Sequence, residues 1–124
     1  KNNSDIVTYF GVVSDIELAE IMGRTDVLLN PHIKMDGVFP FKLIEYVASG
    51  RLILSSDMSF PIKLNWVKDS ILFETLDLDK WLRTIMESSN MYYSNKKIIN
   101  SVSKRVSMEF SKSSIKDEIE KIIN

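Results

Sequence analysis

Lys42 and Glu45 stand three residues apart just after the pair Phe39-Pro40. In a helix that spacing puts both side chains on one face. Proline is tolerated in a first helical turn, where its missing N–H costs nothing, so a helix is expected to start at Phe39-Pro40. The free N–H groups of such a turn make an anion site of the kind that takes phosphate. The helix dipole adds about 0.3–1 kcal/mol to that attraction. Lys42 in the first turn opposes the dipole unless an anion lies near it. A carboxylate such as Glu45 cannot hold phosphate, but it accepts two hydrogen bonds from a vicinal diol such as a ribose. Anion site and diol-binding acid together describe a sugar nucleotide. The plainer alternative is a surface ion pair between the two side chains, worth about a few tenths of a kcal/mol.

The elements that must position this pair are legible on either side. Asp26-Val27-Leu28-Leu29 is a short apolar run that stops at Asn30-Pro31, as a buried parallel strand does. Leu43 and Val47, flanked by Ile44 and Ala48, give the following helix an apolar stripe. Gly50 ends the helix, and Leu52-Ile53-Leu54 is the next strand. Such a strand–loop–helix unit aims its loop and helix N-terminus at the carboxyl edge of a sheet, where open α/β folds bind ligands.

The remaining chain alternates in the same way. Ile6 to Phe10 reads as a strand ending at Gly11. Ser14-x-x-Glu17 is a capping-box pattern opening a helix with Leu18, Ile21 and Met22 inward. From Asp57 to Lys68 the pattern weakens into an irregular segment with room for a short helix after Pro61. Ile71-Leu72-Phe73 is a fourth strand, and Asp77 caps a helix whose Leu78, Trp81, Leu82 and Ile85 form the cleanest amphipathic pattern of the chain. A helix over about 90–109 turns Tyr92, Ile99, Val102 and Val106 inward, and a last helix from Ser113 or Ser114 carries Ile115, Ile119, Ile122 and Ile123. Strands alternating with helices, then helices alone, indicate a parallel sheet with a helical tail.

Composition excludes several classes. The 124 residues fit one domain, and 44% hydrophobic with 27% charged residues is ordinary for a globular protein. A formal net charge of −1 singles out neither nucleic acid nor an anionic membrane as a partner. No apolar run reaches spanning length and no signal-peptide pattern is present. Without cysteine there is no disulfide, no Cys-based zinc site and no thiol nucleophile. A single histidine, His32, argues against a His-rich metal centre and a Ser-His-Asp triad. As a lone loop residue it is expected to make an ordinary polar contact. Trp66 and Trp81 are expected to pack, and Lys96, Lys97, Lys104, Arg105 and Lys112 to form a solvated face.

The segment Y-F-G-V-V-S-D-I-E-L-A-E-I-M-G-R-T-D-V-L-L-N-P, followed by F-P-F-K-L-I-E-Y-V-A-S-G-R-L-I-L-S-S-D, resembles the C-terminal nucleotide-binding domain of GT-B-fold retaining glycosyltransferases. It is most similar to the glycosyl transferases group 1 (family 4) set. The residues that carry the likeness are Gly11, Glu17-Leu18, Asp26 with Pro31, and the P-x-K-x-x-E-Y-x-A-x-G signature of Pro40, Lys42, Glu45, Tyr46, Ala48 and Gly50. Phe110-Ser111 resembles the family's closing F-S-w element. The resemblance implies that Glu45 matches the second of the family's two motif acids, the one that holds the nucleotide ribose. It places backbone N–H groups of Val38, Phe39 and Phe41, around Pro40, against the donor's sugar and diphosphate, with Lys42 beside them. Where the first acid belongs, eight positions before Glu45, this chain has Gly37, and the nearest acid, Asp36, comes one residue early. Leu52 replaces a usual proline, and Ser59-Phe60 a frequent glycine pair.

The expected fold is therefore α/β, an open parallel sheet of about four strands with flanking helices and a helical C-terminal tail, a partial Rossmann-like GT-B C-terminal domain over residues 1–124. The resemblance implies a cytoplasmic donor-binding part of a sugar transferase in glycan or polysaccharide biosynthesis, inactive or nearly so alone. The donor is a nucleotide-diphosphate sugar, with no other cofactor and no metal in this domain. Earlier strands with their basic residues, and an N-terminal acceptor domain as partner, would precede the chain. With those strands missing, either Ile6–Phe10 moves in beside Asp26–Leu29 or an exposed edge pairs with a second copy as a homodimer. A flavodoxin-like receiver or other non-enzymatic α/β module shares the rhythm. Its phosphoryl acceptor would fall at Asn30, which forms no acyl phosphate, and no acidic pair follows the first strand to hold magnesium.

Overall fold

A computed structural model of the chain describes residues 2–3 and 6–110. The helix expected from Ser113 or Ser114 lies outside the described residues, as does the Ser111 of the F-S pair. At the start, β1 (Asn2–Asn3) pairs antiparallel with β2 (Thr8–Tyr9), Asn2 opposite Tyr9 and Asn3 opposite Thr8. This corrects the reading of Ile6–Phe10 as a strand of the parallel sheet. Alternation specifies an extended backbone but not its partner, and a partner a few residues away needs little loop-closure entropy. Nor do these residues find core to cover: Ile6 is 94% exposed, and Val7 and Tyr9 are exposed as well.

The chain continues through α1 (Asp15–Gly23), β3 (Val27–Asn30), α2 (Lys42–Ala48) and β4 (Leu52–Ser55). A 3-10 helix (Ile62–Ser70), β5 (Ile71–Phe73), α3 (Leu78–Met86) and α4 (Ser88–Glu109) complete it. Among the described residues three strands, not four, form the parallel sheet, in the order β3-β4-β5. Architecture is thus α/β, a three-stranded parallel sheet with flanking helices.

Register explains where the core lies. Leu28, Ile53 and Ile71 stand abreast across the three strands and so share one face of the sheet. They join Leu43, Ile44 and Val47 of α2, Val67 of the 3-10 helix, and Val102 and Val106 of α4 in a single buried cluster. Burial of each such side chain contributes about 1.5–3 kcal/mol. On the opposite face Leu52 and Leu54 are closed off, while Leu29 on edge strand β3 remains 41% exposed.

Helix ends follow their local chemistry. Ser14 caps α1, its Oγ accepting the Glu17 N–H at 3.2 Å, as the capping pattern anticipates. Leu18, Ile21 and Met22 reach only half-burial, with Met22 against the core cluster. Pro61 precedes a nine-residue 3-10 helix, longer than the short helix expected there and than the three or four residues such helices usually run. The Arg105 guanidinium lies 3.8 Å from the Trp66 ring centroid, tying that helix to α4. Asp77 caps α3 by accepting the Lys80 N–H at 3.0 Å, and Trp81 is buried with its Nε1–H donating to the Thr75 carbonyl. α4 opens at Ser88, two residues ahead of the expected Asn90, and buries Ile99, Val102 and Val106 while Tyr92 stays half-buried. Among the described residues no helix is long and apolar enough to cross a membrane.

Candidate functional site

The carboxyl ends of β3 and β4 carry a polar latch. Ser55 and Ser56 end the apolar run of β4 and are themselves buried, so their hydroxyls need partners. Asn30 Nδ2 donates to Ser55 Oγ at 3.0 Å, and the Ser56 N–H donates to the Asn30 carbonyl at 3.2 Å. The His32 N–H donates to Ser56 Oγ at 2.7 Å, and the Ser56 hydroxyl donates to the His32 carbonyl. One residue pair further out, Lys34 Nζ meets Asp57 Oδ2 at 3.0 Å. That hydrogen bond, first among the causes, holds the Asp57 carboxyl below its ordinary value. Together these bonds fasten the start of the β3–α2 loop to the end of β4. The contacts of His32 are thus backbone contacts. Its ring Nδ1 is buried without a hydrogen-bond partner among the described residues.

Beyond the latch the loop turns at Asp36-Gly37, where the Val38 N–H donates to the Met35 carbonyl at 3.1 Å. Gly37 has φ +74°, a left-handed conformation that favours glycine. Glycine at this position is therefore the residue that the turn favours. A Cβ there would meet nothing within 4 Å, so the constraint is one of backbone alone. Phe39 then folds inward against Phe60 (centroids 5.1 Å apart), and Phe60 against Phe73 at 6.0 Å, while Phe41 is exposed.

α2 begins at Lys42, two residues after Pro40. Its first bonds run from the Leu43 N–H to the Pro40 carbonyl and from the Ile44 N–H to the Phe41 carbonyl, so the Phe41 and Lys42 N–H groups precede the ladder. Lys42 Nζ and Glu45 Oε2 form the three-apart ion pair at 3.1 Å, with side chains 56% and 55% exposed. Glu45 also borders a groove of about 280 Å³ between the end of α1 and α2, walled by Ala19, Met22 and Ala48. No residue from Asp36 to Phe41 lines that groove. The site thus comprises two neighbouring parts: the turn Asp36–Val38 with Phe39, Pro40 and Phe41 at the sheet edge, and the Lys42–Glu45 pair one turn along α2.

Two contributors escape a reading of the sequence. The Ser-Ser end of β4 was a visible signal, a polar pair closing an apolar strand. The α1 wall of the Glu45 groove carries no signal, because only folding brings Ala19 and Met22 beside α2. No group of three or more His, Cys, Asp or Glu that would hold a metal ion occurs among the described residues. Comparison with protein-family models, with curated proteins and with solved structures returned no match.

Proposed function

We propose that the chain is the donor-binding part of a glycosyltransferase moving a sugar from a nucleotide-diphosphate sugar to an acceptor. The supporting observation is the stretch Pro40–Gly50, seven of whose positions have an evident physical role: Pro40, Lys42, Leu43, Ile44, Glu45, Val47 and Gly50. Pro40 accepts the first helical bond, and Lys42 and Glu45 pair on the exposed face. Leu43, Ile44 and Val47 bury, and Gly50 ends the helix with φ +70°. An exposed ion pair is worth about 0–1 kcal/mol. A ligand bringing an anion to Lys42 and a diol to Glu45 therefore displaces little. The groove beside Glu45, walled by Ala19, Met22 and Ala48 with Ser49 as a second polar residue, suits a ribose or flat ring. A loop at the carboxyl edge of a parallel sheet is where open α/β folds take nucleotides. A Rossmann-like GT-B C-terminal fold, a cytoplasmic location, a role in glycan or polysaccharide synthesis and an acceptor-binding domain as partner go with this reading.

Calorimetric titration with uridine, guanosine and adenosine diphosphates tests it. At least one should bind saturably. A hydrogen bond to a charged group is worth about 1.5–3 kcal/mol, so Glu45→Ala should weaken that binding about ten- to a hundredfold. A loss below about threefold removes Glu45 from the site. Absence of binding by all three nucleotides sinks the donor reading.

A further inference from the structure

At the opposite, amino edge of the sheet lies a polar cavity of about 220 Å³. Asp26 enters it from the residue before β3 and Arg51 from the residue before β4, and the first turns of α4 supply Ser88, Tyr92, Tyr93 and Lys96. Arg51 is held in place, its Nη2 donating to the Gly23 carbonyl at the end of α1. A guanidinium has five donors in a rigid fork, so most of Arg51 remains unused by that bond. Neither cation pairs with Asp26: the ion pairs among the described residues are Lys34–Asp57, Lys42–Glu45 and Arg105–Glu109. Three charged side chains therefore border one small cavity without neutralising one another, with one positive charge in excess.

We propose that this cavity binds a small phosphorylated polyol, a sugar-sized phosphomonoester. Arg51 and Lys96 take the phosphate, since a guanidinium fork matches two phosphate oxygens and an ammonium adds a point charge. Asp26 repels a bare phosphate but accepts hydrogen bonds from hydroxyls, so the pairing of acid and cations selects a ligand with an anion at one end and hydroxyls at the other. Tyr92 and Tyr93, with ring centroids 6.4 Å apart, add phenolic donors and ring faces for the polyol body. A volume of about 220 Å³ accommodates about a single sugar ring, and lies below the range of typical drug-sized sites. The site shares no residue with the Lys42–Glu45 pair, so it stands or falls independently of the donor reading.

Calorimetry on the full chain with a hexose 6-phosphate, inorganic phosphate and the unphosphorylated hexose tests the assignment. The hexose phosphate should bind saturably, about tenfold or more tighter than inorganic phosphate, and the free hexose should give no heat. Arg51 also holds Gly23, so Lys96→Ala is the variant that isolates the ligand contact, and it should weaken both phosphate compounds about tenfold or more. Asp26→Ala, which removes both the negative charge and the hydroxyl acceptor, should tighten inorganic phosphate and remove the advantage of the hexose phosphate. The proposal is overturned by the absence of saturable binding, by Lys96→Ala leaving affinity unchanged, or by equal affinity for hexose phosphate and inorganic phosphate.

Discussion

α2 and α3 are short helices of similar length on which pattern and packing disagree. α3 carries the cleanest amphipathic spacing in the chain, yet Trp81 is its one buried residue, with Leu78 75% exposed and Leu82 and Met86 exposed as well. α2 has seven residues and a less regular stripe, yet Leu43, Ile44 and Val47 all bury into the central cluster. Periodicity reports that a helix has an apolar side; it does not report what covers that side. α2 is enclosed because it connects two adjacent parallel strands and must lie across them, with α4 packed along it. α3 follows the last strand of the sheet, and among the described residues no later strand returns its apolar side to the core.

The largest test of that contrast is a matched pair of truncations. Leu43 is fully buried, so Leu43→Ala should cost about 2–5 kcal/mol through lost burial and a residual cavity. Leu78→Ala, the same change on an exposed position, should stay within about 0.5 kcal/mol. Urea denaturation of both variants measures the difference. Comparable losses would mean that the α3 stripe is covered in solution, and the contrast would fail.

How far the sequence reveals the molecule follows the same division. Features set by a residue and its near neighbours are legible: the Ser14 and Asp77 caps, β5 at Ile71–Phe73, Leu43, Ile44 and Val47 of α2 and the Lys42–Glu45 pair all stand where their spacing puts them, while Ala48, expected beside that stripe, is exposed. Features set by a distant partner are not. The extended character of Ile6–Phe10 is visible but its pairing with Asn2–Asn3 is not, because a strand pattern carries no address. The nine-residue 3-10 helix is masked because its packing on α4, through Trp66 and Arg105, outweighs its local pattern. At the candidate site the glycine at position 37 is plain in the sequence, whereas the left-handed turn that favours it appears only in the backbone.

A middle-sized effect concerns how the two helices end. α2 closes on Gly50 with φ +70°, its N–H donating to the Val47 carbonyl, so that β4 starts two residues later. α3 instead ends at Glu87, which leads straight into α4. A Cβ on Gly50 would meet Ser103 Oγ at 3.5 Å, an ordinary contact, so the penalty of Gly50→Ala is conformational, about 1–2 kcal/mol. Thermal unfolding should show a clear decrease. An unchanged midpoint would show that this turn relaxes, and that α2 does not depend on its glycine stop.

The smallest effect lies in the loop that delivers the chain to α2, where Lys34 holds Asp57 across the ends of β3 and β4. The folded Asp57 carboxyl titrates below its ordinary value, first because Lys34 donates a hydrogen bond to the charged form, then through the charge of Lys34 and the Met58 N–H. A depressed folded value fixes the sign: the unfolded chain binds the proton more readily, so the latch adds stability at neutral pH. That contribution is lost as pH falls through the folded value. Both side chains are exposed, so salt screens the attraction and the gain is small. In an NMR titration the Asp57 midpoint should lie below that of an unstructured aspartate, and Lys34→Met should move it upward. If Lys34→Met leaves the midpoint in place, the cation is not what holds the carboxylate. The approach to α2 would then rest on the buried Ser55–Ser56 bonds alone, which do not titrate, and acid would leave the loop fastened.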